Sequence, residues 1–212
     1  MEIVDIYDEN LIPIGSVSRD EAHQNGNWHK SIHAWILRPI QEGYVLFQKR
    51  GKTKLLFPNV LDISAAGHYS KGETYKEGVR EITEELGLVV NHEDLIHLGI
   101  KMDIAKVGNI TNREFCDVFL LIRNELPAEY KIDEKEVEGL VQIKIQDGLD
   151  LFSKRKKQIH AEGVEWSKET NTWNPISMQV GITDFIPRID PYYYKIFIIA
   201  NSYMRGDKDL SI

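Results

Sequence analysis

The sequence predicts a single α/β domain with a helical C-terminal extension, and three observations lead there. Short apolar runs bounded by turn-forming residues recur along the chain, as strands do. Between two of them, Tyr75, Val79, Ile82 and Leu86 follow one another at helical spacing and share one face. A second helical pattern, 192–204, closes the chain, with Tyr192, Tyr193, Ile196, Ile199, Ala200 and Tyr203 on overlapping faces. At 212 residues the chain suits one domain with embellishments. Residues 1–150 are expected to form the main domain, N-terminal strands included, and 151–212 a helical extension packed on it.

Composition narrows the function. A net charge of −7 argues against non-specific nucleic-acid binding, which needs a basic field. A phosphorylated small molecule stays open, because it needs only a local cluster of cations. One cysteine, Cys116, leaves no room for an internal disulfide framework or a cysteine-rich zinc site. No apolar run approaches the roughly 20 residues of a membrane span, and the acidic N-terminus is no signal peptide. A cytoplasmic protein with no membrane partner is the expectation, and a homodimer is compatible with it.

Taken in order, residues 2–7 and 13–17 read as two strands broken at Asp8, Glu9 and Asn10. Residues 19–30 read as a loop carrying His23, Trp28 and His29. Strands follow at 31–38 and 44–49, the second pairing with the first as a hairpin. Arg50, Lys52 and Lys54 make the densest basic patch of the first half, a solvated turn or a phosphate contact. Strands are expected at 95–104, 114–123 and 140–145, and a helix over 149–158 bearing the basic run 154–157. The stretch 161–181, with Trp166 and Trp173, reads as an insertion or a long loop.

The helix near residue 80 carries the chemistry. Thr74 and Glu77 have capping-box spacing, and Gly87 stands where a glycine ends a helix. Against the apolar face, Glu77, Glu81, Glu84 and Glu85 crowd together. Like charges four apart cost about 0.2–0.5 kcal/mol a pair, and the helix dipole disfavours anions in the last turn. A solvated acidic face is one account of such a run. A divalent cation taking oxygen ligands is the other, and it resolves the repulsion.

Gly67, Glu73, Arg80, Glu81, Ile82, Glu84, Glu85, Gly87 and Leu88 together resemble the Nudix box, Gly-x5-Glu-x7-Arg-Glu-U-x-Glu-Glu-x-Gly-U, with U aliphatic. One spacing departs from it: six residues, not seven, separate Glu73 from Arg80. From about residue 20 to 118 the chain also resembles the branch of that superfamily that contains isopentenyl-diphosphate isomerase and hydrolases like it.

The resemblance implies an α/β/α sandwich with a mixed sheet, and a Nudix hydrolase that cuts a diphosphate bond in a nucleotide or other organic diphosphate. It implies Mg²⁺, with Mn²⁺ as an alternative, held by Glu81, Glu84, Glu85, the carbonyl of Gly67, and Glu114. Glu81, Glu84, Glu85 and Glu136 are the expected catalytic carboxylates, with Glu81 and Glu136 both open as the base that activates water. Arg50, Lys52, His29 and His68 are the expected substrate-binding groups, although His29, His68 and Glu114 also match metal-binding positions of the isomerase, and Arg80 is expected to tie the acidic helix to its loop. Two alternatives remain, an isomerase and a non-catalytic diphosphate-binding or regulatory module. Against the isomerase, Ala66 stands where that enzyme has its catalytic cysteine, and a methyl group cannot shuttle a proton.

Overall fold

The computed structural model describes residues 2–54, 56–108 and 110–212, the side chain of residue 107 excepted. A hairpin opens the chain, β1 (Ile3–Tyr7) against β2 (Pro13–Ser18). Ser18 then caps a helix, α1 (Arg19–Asn25): its hydroxyl accepts from the Glu21 N–H at 3.2 Å, and Gly26 ends the helix at φ +66°. This corrects the loop expected over 19–30. Ser18 and Glu21 stand three apart, the spacing of a capping box.

Strand β3 (Trp28–Arg38) organises the sheet. Along one edge it runs parallel to β8 (Ile110–Ile122), pairing His29 with Glu114 and Ser31 with Cys116. Its other edge meets three antiparallel partners in turn. These are β1 at its start, β6 (Ala65–His68) in the middle and β4 (Tyr44–Arg50) at its end. The short β5 (Leu61–Asp62) pairs with β4, and β7 (Leu95–Val107) pairs with β8 beyond β3. On the far side of β4 lie β9 (Val137–Lys144), β10 (Gln158–Ser167) and β11 (Thr172–Gly181). Among the described strands, the mixed sheet therefore comes from one parallel pairing in an otherwise antiparallel array.

Period-two alternation along β3 gives the sheet its two covered faces. Ala34 and Ile36 pack with Ile82 and Leu86 of the acidic helix, together with Leu46, Leu121 and Leu140. Trp35 and Leu37 point the other way, into a larger core with Phe47 and Val141. That core is closed by α5 (Tyr192–Met204) through Tyr192, Tyr193, Ile196 and Phe197, and by α4 (Ile145–Phe152) through Leu151.

The helix predicted around residue 80 is present in two pieces, α2 (Tyr75–Gly78) and α3 (Arg80–Leu86). Thr74 and Glu77 form the expected capping box, worth about 1 kcal/mol. Gly87 ends α3 at φ +67°. The join at Val79 tightens into a 3₁₀ turn, with the Ile82 N–H reaching the Val79 carbonyl at 3.1 Å. Gly78 belongs beside that join because the Tyr69 ring occupies the space a Cβ would take.

Two further differences fall in the last third. Helix α4 lies earlier than 149–158 and ends at Phe152, so the basic run 154–157 lies outside it, beginning with Lys154 at φ +64°. Arg155 and Lys156 then turn back onto Asp150. The stretch 161–181, expected as an insertion or long loop, is a two-stranded hairpin in regular register from Gln158 against Gly181 to Ser167 against Thr172. Polar residues on its outward positions hid the alternation. The part beyond 151 thus adds strands to the sheet as well as a helix.

Candidate active site

A cleft of about 550 Å³ opens where β6 leaves the sheet and α3 begins. Gly67 and Glu81 define its acidic side. A Cβ built on Gly67 would lie inside the Glu81 carboxylate, so this glycine lets the helix carboxylate come down onto the β6 backbone. Glu85 is buried beneath it. Its Oε2 accepts from the Ala66 N–H and from Gln48 Nε2, both at 3.1 Å. Burial pushes the Glu85 carboxyl up to about 7, against the pull of the Ala66 N–H and the nearby Lys54. Burial also raises Glu81. Glu84 is the exposed member, at 60% for its side chain.

Arg80 ties this arrangement to its loop, as expected. Its guanidinium grips Glu73 with two bonds, at 2.9 and 3.0 Å, and donates to Glu81 at 2.6 Å, Glu84 at 3.2 Å and the His68 carbonyl at 3.1 Å. Glu73 also accepts from the Ser70 N–H at 2.7 Å. The shortened spacing between Glu73 and Arg80 leaves their pairing intact.

Glu114 is placed with imidazoles, not with the helix glutamates. His68 Nε2 lies 2.9 Å from Glu114 Oε1, and His29 Nε2 lies 3.8 Å from it. The rings of His23, His29 and His68 sit 5.0–5.6 Å apart between centroids. His29 donates from Nδ1 to the Asn27 carbonyl at 3.0 Å, which leaves a lone pair on Nε2. That Nε2, and Nε2 of His23, are buried with no hydrogen-bond partner among the described residues. Burial, with the neighbouring rings, holds His29 below its ordinary value and His23 down to about 4, so both are neutral at pH 7. Burial opposes ionisation of Glu114, but the hydrogen bond and charge of His68 outweigh it and hold the carboxyl well below its usual range. Ser31 Oγ at 3.1 Å, Asn112 Nδ2 at 2.8 Å and the Cys116 thiol at 3.6 Å also donate to it.

One ligand atom from each of His23, His29, His68 and Glu114 falls within 4.8 Å of all the others. Two buried imidazole nitrogens without a hydrogen-bond partner among the described residues, close to a carboxylate, are free to ligate a cation. The donor set, three nitrogens and an oxygen, suits a borderline ion such as Mn²⁺ or Zn²⁺. His29 and His68, expected to touch substrate, are thus gathered as cation ligands would be.

The basic patch divides. Arg50 lines the cleft, but its guanidinium is committed to the Leu56 and Phe57 carbonyls, both at 3.1 Å, and to Asp62 at 3.0 Å. Lys52 corrects the expectation: it is 72% exposed, pairs with Glu138 and lies off the cleft. Lys54 takes its place, lining the cleft in an ion pair with Glu136. Sequence reasoning gave no role to Asp62, Asp103, His33 or Arg188, which also line the cleft. Arg188 had no local signal at all, since only tertiary packing brings residues near 188 to this wall.

No family model matches the chain. It is similar to an uncharacterised Nudix hydrolase of Clostridium acetobutylicum, 35% identical over 201 residues that span 94% of this chain and 96% of the relative. It is 32% identical to isopentenyl-diphosphate Delta-isomerase 1 of Photorhabdus laumondii, over 69% of this chain and 82% of that protein. Among solved structures, a Deinococcus radiodurans protein superposes with a TM-score of 0.55 at 21% identity, covering 72% of this chain and 90% of that one. A MutT/nudix family protein from Enterococcus faecalis gives 0.50 at 13% identity, covering 84% and 67%. At such identities the two structures bear on the fold alone. No helix among the described residues is long and apolar enough to cross a membrane.

Proposed function

The chain belongs to the Nudix hydrolases, and we propose that within that family it cleaves the diphosphate bond of a small organic diphosphate with divalent cations bound. The observation that carries this reading is the seating of Glu81 on Gly67 above a buried Glu85. Carboxylates so crowded and desolvated are poorly placed for stability alone and well placed to hold cations. Glu81, Glu84, Glu85 and the Gly67 carbonyl would hold Mg²⁺. His23, His29, His68 and Glu114 would hold a second, softer ion. Bound there, such ions neutralise phosphoryl charge and acidify a water molecule.

The chain's own groups do the rest. Glu81, raised by burial, is better suited to take a proton near neutral pH than Glu136, which is half-exposed and paired with Lys54. Arg80 holds Glu81 and Glu84 on one guanidinium, fixing the spacing of the carboxylates. Lys54 can exchange Glu136 for a phosphate oxygen without leaving the cleft.

The imidazole cluster favours a second reading, the isomerase, since His29, His68 and Glu114 match its metal-binding positions. Ala66 weighs against it, and Cys116 does not substitute: its thiol is fully buried, and burial with the adjacent Glu114 charge raises its pKa well above the usual range. The test is release of phosphate or of a monophosphate product over nucleoside diphosphates and triphosphates, nucleotide sugars, dinucleoside polyphosphates and prenyl diphosphates, with Mg²⁺ or Mn²⁺ and with EDTA. Run in ¹⁸O-labelled water, it should put label into one phosphoryl product. Deuterium incorporated from D₂O into the carbons of isopentenyl diphosphate would replace the hydrolase reading with the isomerase one.

A further inference from the structure

One wall of the cleft is a chain of alternating charges that the diphosphatase reading does not use. Arg50 Nη1 meets Asp62 Oδ2 at 3.0 Å, and the other oxygen of Asp62 takes Arg188 Nη2 at 2.9 Å. Arg188 Nη1 pairs with Asp103, whose second oxygen accepts from Lys101 Nζ at 2.8 Å. Lys101 in turn reaches Asp190 at 3.3 Å. Four of these six residues, Arg50, Asp62, Asp103 and Arg188, line the cleft. They converge from β4, β5, β7 and the segment that leads into α5.

This chain of ions is nearly out of water: the side chains of Asp62, Asp103 and Arg188 are 6%, 10% and 10% exposed. Packed apolar groups of the same size would stabilise the fold as well or better, because desolvating each ion offsets most of the attraction. What the ions supply and apolar groups cannot is a wall of hydrogen-bond donors and acceptors facing a ligand. The wall also adjoins the proposed cation site, since Asp103 stands directly across the β7–β8 ladder from Glu114.

We propose that Arg188, clamped between Asp62 and Asp103, is the specificity-determining group for the part of the substrate beyond its phosphates, and that it selects a hydroxylated substituent, such as a sugar, over a hydrocarbon tail. A hydroxyl can donate to either carboxylate and accept from the guanidinium. A prenyl tail laid on the same wall would strip its remaining water and return no hydrogen bond. Sites built around buried polar groups reject analogues that cannot pair with them far more strongly than apolar pockets reject an extra methylene. The inference rests on the diphosphatase reading and assigns the residue that chooses among diphosphates.

The experiment compares kcat/KM for UDP-glucose and ADP-ribose with that for dimethylallyl and geranyl diphosphate, using the full chain with Mg²⁺. Wild type should favour the sugar diphosphates at least 100-fold. The double variant Arg188→Met with Asp103→Asn removes the cation and neutralises one partner together, so no buried charge is stranded. It should lower that ratio tenfold or more, with most of the change in KM. If it does not fold by circular dichroism, Asp103→Asn alone should lower the ratio in the same direction. Wild type that cleaves both classes equally, or a folded variant with an unchanged ratio, overturns the proposal. If no diphosphate is cleaved, the hydrolase reading fails, and calorimetry decides the rest: UDP-glucose binding weakened in the variant supports the wall, and binding equal in both proteins, or absent from wild type, overturns it.

Discussion

Tyr192 sets the tautomer of His33. The Tyr192 hydroxyl oxygen lies 2.9 Å from Trp35 Nε1, which can only donate, and 3.0 Å from His33 Nδ1. Having accepted from Trp35, the hydroxyl satisfies its own hydrogen by donating to Nδ1. The His33 proton is then on Nε2, which faces Glu114 Oε2 at 4.0 Å. All three side chains are buried, so helix α5 fixes the state of a ring in the floor of the cleft. Tyr192→Phe should leave the Trp35 N–H and His33 Nδ1 without a partner. A loss of about 1–3 kcal/mol is expected in urea unfolding, and a variant as stable as wild type would show that the three groups are not coupled.

His33 also predicts a pH dependence. Burial, reinforced by the Arg188 charge and opposed by Glu114, Asp103 and Asp62, lowers its pKa to about 4. An unfolded chain would titrate this ring near 6.5. Between those values the unfolded state binds more protons than the native one, so stability falls as pH drops from about 6.5 to about 4. His33→Gln should flatten the dependence of the urea midpoint on pH in that window, measured in EDTA. Parallel slopes for the two proteins would show that His33 contributes nothing to it.

Gly67→Ala is expected to cut turnover at least tenfold with little change in melting temperature. The added methyl would occupy the place of the Glu81 carboxylate, and that side chain can swing out toward the open cleft. A variant with full activity would remove the seating of Glu81 from the mechanism.

Glu85→Gln separates stability from function at one position. It keeps the shape that fills the space between Ala66 and Gln48 and removes a buried charge. Urea unfolding should show unchanged or higher stability, while Mg²⁺ binding by calorimetry and turnover should each fall tenfold or more. Unaltered Mg²⁺ binding would take Glu85 out of the ligand set.

For the imidazole cluster, His29→Ala should abolish a Mn²⁺ site visible by electron paramagnetic resonance in wild type. Mg²⁺ should compete for that site poorly, since nitrogen donors favour softer ions. Equal competition by Mg²⁺ would point to an all-oxygen site instead.

The parts of the fold legible in the sequence were those decided within a few residues. Thr74 with Glu77, Gly87, and the apolar spacing of 192–204 all act through neighbours along one helix, and all three appear as expected. The Ser18–Glu21 cap is equally local, but the polar residues around it give the segment the composition of a loop. The hairpin of 158–181 lies at the sheet margin, where outward positions can be polar and the alternation is masked. At the site, the sequence supplied the carboxylates of α3 and the histidines. Only the resemblance to the isomerase links Glu114 with His29 and His68 from sequence; the physical cause, the parallel pairing of β3 with β8, is not legible there. Nor could the sequence show Asp62 joined to Arg188, a contact across 126 positions of chain.

That parallel pairing has a kinetic meaning as well. β3 and β8 are joined through β4, β5, β6, the acidic helix and β7, so their ladder can zip only after a long stretch of chain has closed into a loop. Contacts of such separation form late and slow the search for the native state. His29 and Glu114 meet across that ladder, and so the cation site should be among the last features to appear during refolding. A metal sensed by these residues would report completion of the fold, because a chain halted before Ile110 holds the three histidines but lacks Glu114, the carboxylate that closes the site.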